Sequence, residues 1–384
     1  MANTITAILP SIYAGLSTVS REMIGIIPAA QRDASMERAA VGQTVTVPVV
    51  PAATGGNITP GATPPDDGDA VIGNMNVAIT KSKYSPVRWN GEERLAVGPT
   101  GQFNKILADQ FAESMRWLAN QVEVDGVDAA RKGASRAYGT AGTAPFGTAG
   151  DLTDFAGVNK ILDENGSPMS GRRLIVGTAA AFNLEGKQSV LWKINEAGDG
   201  GAMLNRRVYP EIQSLMLGKS AGVPVVTKGT GSGYTTSGTL LPVGTTSIPL
   251  ITGTGTVLAG DVVTFAGDSN KYVVGTGVAV PGTIVLNKPG LLIAIPAAAT
   301  TMTIGNNFTA NVAFTQNALV LAARAPAAPE GGDSADDAQM VIDPVSGIGF
   351  EVRLYREYRR IRYEVALAWG WGLVKSQDID LLLG

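Results

Sequence analysis

The chain has no histidine and no cysteine in 384 residues. Without histidine it lacks the side chain whose ordinary pKa lies between pH 5 and 8. Without cysteine it lacks thiolate nucleophiles and disulfides, and with both gone the two commonest transition-metal ligands are missing. A Ser-His-Asp triad, a Cys-His dyad and an ordinary zinc site are therefore excluded. Charge is scarce too. Charged residues make up 16%, below the quarter usual in soluble proteins. Long apolar runs are also missing. The longest, such as residues 363–374, are much shorter than a membrane-spanning helix needs. No charge precedes Arg21, so the basic region of a secretory signal is missing. The lack of cysteine fits a reducing cytoplasm.

Glycine (48 residues), threonine, alanine and proline stand where the charges would be. Such a surface suits a chain whose faces are covered by other chains, since interface cores are depleted in charge. A Gly-rich monomer with long loops fits the composition equally well. The net charge of −3 rules out a phosphate-neutralising polycation. A chain of this length is expected to form two or more packing units.

Residues 5–16 carry an apolar stripe at helical spacing (Ile5, Ile8, Leu9, Ile12, Tyr13, Leu16) and read as an arm that packs on something distant in sequence. Residues 44–47 and 74–80 alternate as strands and can pair. Between them, residues 51–69 form a tip dense in Gly, Pro, Thr and Asp. Then Phe103, Leu107, Phe111, Met115, Leu118 and Val122 recur every three or four residues. This predicts a helix over 101–131, ~45 Å long at 1.5 Å per residue. Residues 152–225 read as mixed α/β, with helices over 154–164, 179–186 and 208–217 and a strand over 173–177. From 226 to 311 charge nearly vanishes and short β runs recur between turns (239–243, 246–252, 261–265, 271–274, 283–287, 301–304), the pattern of a small barrel or sandwich. Mixed α/β returns around 313–324, so this β unit reads as an insertion. Two half-buried strands end the chain, around Phe350–Tyr355 and Arg362–Trp369.

The motifs that could carry chemistry are few. Gly218-Lys219-Ser220-Ala221-Gly222 matches a nucleophile elbow, but no histidine exists to take the Ser220 proton. The same residues end like a phosphate-binding loop, yet Gln213 stands where its first glycine belongs. Acidic clusters at Asp66, Asp67 and Asp69 and at Asp333, Asp336 and Asp337 read as solvated loops, without the closing Glu of an EF-hand. Arg353, Arg356, Arg359, Arg360 and Arg362 are the one basic concentration. With Glu351, Glu357 and Glu364 interleaved, they read as a salt-bridged strand face at a subunit contact rather than a nucleic-acid site. The residues therefore predict no catalytic site, no cofactor-binding site, no metal site and no enzyme.

The order of these parts resembles the major capsid proteins of tailed bacteriophages. The inserted β unit is similar to the podovirus coat-protein branch, of the Salmonella-phage type. The residues that carry the likeness are Ala34-Ser35-Met36-Glu37-Arg38 before 44–48, Val223-Pro224-Val225-Val226-Thr227-Lys228, residues 260–266, Ala313-Phe314-Thr315-Gln316-Asn317-Ala318, and above all Asp343-Pro344-Val345-Ser346-Gly347. The resemblance implies an α+β capsid fold with an inserted all-β domain. It also implies a division into an N-terminal arm (1–43), an extended hairpin loop (44–83), a peripheral domain with a spine helix (84–151, helix 101–131), an axial domain in two parts (152–225 and 312–343), the insertion (226–311) and C-terminal peripheral strands (344–384). Its implied function is self-assembly, as hexamers and pentamers, into the icosahedral shell of a virion. The shell would be built in the host cytoplasm with a scaffolding protein and a portal, would touch packaged DNA weakly at most, and would involve no membrane and no cofactor. A non-viral nanocompartment of the same fold and a secreted β-rich surface or adhesion protein remain the alternatives.

Overall fold

A computed structural model describes residues 22–33, 37–50, 57, 58, 60, 72–97, 103–188, 191, 209, 211–279 and 281–384. The apolar stripe at 5–16 and nearly all of the tip at 51–69 lie outside the described residues.

The predicted long helix runs Phe103–Gly133. Its stripe is buried as the periodicity requires, with Leu107, Phe111, Met115, Leu118 and Val122 each at most 1% exposed. The helix lies on the strand Arg360–Leu373 and approaches it closely at two glycines. A Cβ on Gly126 would stand 2.6 Å from the Trp371 ring, and one on Gly133 would stand 2.2 Å from Leu373. The Trp371 indole donates to the Val122 carbonyl (3.0 Å) and the Trp369 indole to Asp125 (2.9 Å).

Among the described residues the strands form two large sheets and a separate hairpin. The first sheet has six strands, in the order Gln31–Asp33, Leu319–Arg324, Arg360–Leu373, Gly349–Glu357 and Asp337–Ile342, with Lys81–Asn90 along the other side of Arg360–Leu373. The hairpin pairs Thr44–Val49 with Gly73–Ala78. Its base packs on the first sheet, where Val77 and Ile79 meet Val320 and Ala368. This cover buries Ala368, on the face opposite that of Val365 and Leu367.

The second sheet has 13 strands. At its centre Ile379–Leu383 pairs with Phe308–Thr315 on one side and Arg136–Gly139 on the other. Arg172–Val176 and Leu215–Lys219 extend it in one direction. In the other, Lys271–Thr276 pairs with Arg136–Gly139 and carries the β unit of 226–311 into the same sheet. That unit keeps a core of its own, fifteen buried side chains between Tyr234 and Ile304. Alternation along its strands sends Val263, Phe265, Tyr272 and Val274 inward, and Val262 and Val273 into the core of the rest of the chain.

Several expectations are corrected. Residues 211–217 are not helical. Glu211–Ile212 and Leu215–Lys219 form a tight antiparallel turn, with Gln213 and Ser214 both at positive φ (49° and 64°). Leu215 is buried by parallel pairing with Arg172–Val176, and this pairing overrides the helical spacing. Residues 239–243 give one bridge, Leu241 to Ile295, rather than a strand, because Pro242 has no N–H to offer. The stretch 313–324 is two strands joined by a 3-10 turn, Gln316–Ala318. Apart from these corrections, each sheet joins parts that lie on either side of an implied boundary. Leu319–Arg324 and Asp337–Ile342 pair within the sheet of Arg360–Leu373, whereas Ile379–Leu383 leaves it for the second sheet.

Candidate functional site

The nucleophile-like motif sits at the end of Leu215–Lys219, on a loop facing the long helix. Ser220 is fully buried, and its hydroxyl donates to Glu123 Oε1 at 2.6 Å. The serine therefore has a carboxylate partner, which the sequence reading missed. Glu123 is already engaged, however. It also accepts the backbone N–H groups of Gly25 (2.6 Å), Ile26 (2.9 Å) and Ile27 (3.1 Å) while only 1% exposed. A carboxylate whose oxygens hold four donors out of water is a structural joint, because each of those buried donors would otherwise be left unpaired. The sequence carries a signal for it. Glu123 follows Ala119 by four residues and precedes Val127 by four, on a face otherwise built of small apolar side chains.

The second acidic cluster and the basic concentration pair with each other. Asp333 accepts from Arg353 and from the Tyr355 hydroxyl, and Asp336 pairs with Arg356 at 3.0 Å. Burial raises the Asp333 pKa. The Ala335 amide, the Tyr355 hydroxyl and the Arg353 guanidinium outweigh it, so the carboxyl titrates below its ordinary value. Glu351 is 2% exposed and lies between Arg353 (3.0 Å) and a bidentate Arg38 (2.5 and 3.1 Å). Arg360 pairs with Glu357 and Arg362 with Glu364. The Arg362 guanidinium also lies over the rings of Tyr84 and Tyr355. Arg353, Arg356, Arg360 and Arg362 are thus spent on neighbours in their own chain. Asp66, Asp67 and Asp69 lie outside the described residues. Among the described residues no group of three acidic side chains is placed to hold a metal ion, and no helix is long and apolar enough to cross a membrane.

A third polar feature lies inside the second sheet. Asp380 is fully buried, and neither carboxyl oxygen accepts a hydrogen bond. Beside it Arg136 pairs with Glu164 (2.6 Å) and Arg172 with Asp163 (2.7 Å). Burial raises the Asp380 pKa well above its ordinary value, and the two guanidinium groups offset this only in part. Nothing in its local sequence, Ile379-Asp380-Leu381, separates it from an exposed strand residue.

The exposed side chains have a different character. The 226–311 segment has five charged residues, Lys228, Asp261, Asp268, Lys271 and Lys288. Asp261 is turned inward to the Gly229 and Leu258 amides, Asp268 to the Tyr272 hydroxyl, and Lys271 to the Gly139 carbonyl. What remains outside is Lys288 and the half-buried Lys228 among Thr, Ser, Gly and exposed aliphatics such as Leu240, Val243 and Ile293.

A chain in the capsid structure of the cyanophage P-SCSP1u superimposes on this one with a TM-score of 0.52 and 11% identity, covering 95% of this chain and 89% of that one. The chain has a phage capsid fold. Other structures with the same overall course are a chain of Mycobacterium phage Che8 (TM-score 0.47, 12% identity, 91% of this chain and 94% of that one) and one from the mature capsid of bacteriophage PhiM1 (0.47, 8%, 93% and 86%). No family model matches the sequence, and no curated protein matches it. Within this fold the β unit of 226–311 is joined to the second sheet at Arg136–Gly139.

Proposed function

We propose that the chain is a major capsid subunit that assembles in many copies into an icosahedral shell around double-stranded DNA. The observation that carries this reading is the capsid fold, matched along 95% of the chain. The chemistry agrees. Polar groups that could react are instead tied into internal joints, and the surface is poor in charge. On this reading Phe103–Gly133 serves as the spine helix and Thr44–Val49 with Gly73–Ala78 as the base of a loop laid over a neighbour. The domain division above, with 226–311 as the insertion of the podovirus branch, is part of the same proposal. So are hexamers and pentamers, a scaffolding protein and a portal as partners, and the lack of enzymatic activity.

Electron microscopy of the purified protein, alone and with its scaffolding protein, tests this. Closed shells of uniform size are expected, and nuclease-protected DNA in particles from infected cells separates a virion from a shell around protein cargo. A protein that stays monomeric at high concentration under both conditions overturns the proposal.

A further inference from the structure

Residues 23–33 run from one large sheet to the other. At one end the Ala221 N–H donates to the Met23 carbonyl at 2.9 Å. There Gly25 lies so close to the second sheet that a Cβ on it would stand 3.0 Å from the Lys219 carbonyl oxygen and 3.1 Å from Ile175. At the other end Gln31–Asp33 pairs in parallel with Leu319–Arg324 of the first sheet. Asp33 pairs with Arg324 (2.8 Å), and Arg32 donates to the Ser346 carbonyl (2.8 Å). Midway, Ile26 and Ile27 are fully buried, and the amides of residues 25–27 converge on Glu123 of the long helix.

We infer that residues 23–33 are a tie that fixes the angle between the two sheets, with the Glu123 carboxylate as its lock. Apolar packing alone is non-directional and tolerates sliding. Hydrogen bonds to a buried carboxylate have defined length and angle, and a buried donor left unpaired is destabilising. Turning one sheet against the other must therefore either carry the tie along as a body or strip three amides and the Ser220 hydroxyl from Glu123. The inference rests on the fold and holds whether or not the chain builds a shell.

The absence of native cysteine provides the test. Cysteines at Met216, on the second sheet, and Met340, on the first, replace side chains 49% and 44% exposed and accept spin labels. The parent chain should give one narrow distance distribution. Glu123→Gln should broaden it and speed amide exchange at residues 25–27 at least about tenfold, the loss expected from breaking charge-assisted bonds. A distribution as narrow as the parent's overturns the inference, even if exchange accelerates, because Glu123 then acts only locally. Should Glu123→Gln not fold, Gly25→Ala takes its place. It leaves the carboxylate intact but pushes the tie off Lys219, and an unchanged distribution in that variant overturns the inference equally.

Discussion

Two of the molecule's hydrophobic cores are built in opposite ways. The core of the 226–311 unit draws its fifteen buried side chains from seventy-one consecutive positions, Tyr234 to Ile304. The main core gathers Ile26, Phe111, Ile175, Phe314, Phe350 and Leu383 from almost the whole length of the chain. A core that is local in sequence can close before distant parts arrive, whereas a non-local one must first bear the entropy of closing long loops. The join between them is mixed: Val262 and Val273 of the unit enter the main core, and polar contacts flank them. Lys271 and Tyr272 pair with Ala137 and Arg136, and the Asn287 side-chain amide donates to the Lys132 and Ala134 carbonyls at the end of the long helix. The local unit is therefore expected to fold alone on its own core, and the rest to depend on its whole length.

The sharpest way to break this comparison is excision. Residues 226–311 expressed alone should give dispersed amide NMR signals and cooperative unfolding, since strands 225–226 and 308–309 bring the two ends together. A random-coil spectrum would show that Arg136–Gly139 is needed to complete the unit.

Next in size is truncation within each core. Phe111 is fully buried and meets Tyr363 edge-on at 5.2 Å. Phe111→Ala should cost about 3–5 kcal/mol and lower the melting of the main body while the insertion's transition stays in place. Ile284→Ala, within the insertion core, should do the reverse. Calorimetry of both variants decides the point, and one shared transition moved equally by either would sink the claim of two separate cores.

How much of this was legible in the sequence follows the same division. The strands of 226–311 were placed closely because each is short, local and bounded by turns. The long helix was found from its own periodicity. One failure is local, the proline that breaks 239–243, and the others are non-local. Residues 211–217 look helical until Arg172–Val176 arrives to pair with them. Glu351 and Arg353 look like an outward face until Arg38 and Asp333 cover them. Ser220 appeared to have no partner because Glu123 is 97 positions away. Pairing across such distances leaves no periodic trace in either segment, so the polar joints stayed hidden while the elements they join were readable.

Asp380 offers a smaller effect with a definite sign. The unfolded carboxyl titrates near the ordinary aspartate value, and the folded one well above it because of burial. Its contribution to stability is therefore complete below the unfolded pKa and is lost as pH rises toward the folded one. Asp380→Asn keeps the shape, removes the proton to be lost, and leaves Arg136 and Arg172 with Glu164 and Asp163. The variant should match the parent near pH 4 and be the more stable of the two at neutral pH, with the gap widening as pH rises. Denaturant melts at a series of pH values read this directly. A variant less stable at neutral pH would mean that the carboxylate is ionised and held by the two arginines.

The smallest expected effect is at Ser220, where the choice between chemistry and architecture is tested most directly. Ser220→Ala removes one of the four donors on Glu123 and the acceptor for the Gly222 amide at 3.0 Å. The three backbone donors from residues 25–27 remain, so the carboxylate stays satisfied, and the loss should be about 1 kcal/mol. A catalytic serine would behave differently, because its removal would abolish a turnover while sparing stability. It would also need an exposed hydroxyl, and Ser220 is fully buried. A fluorophosphonate probe should therefore label Ser220 no faster than the other serines, and the Ser220→Ala chain should assemble as the parent does. Selective labelling of Ser220 would show that the loop opens and that Glu123 serves a reaction rather than a joint.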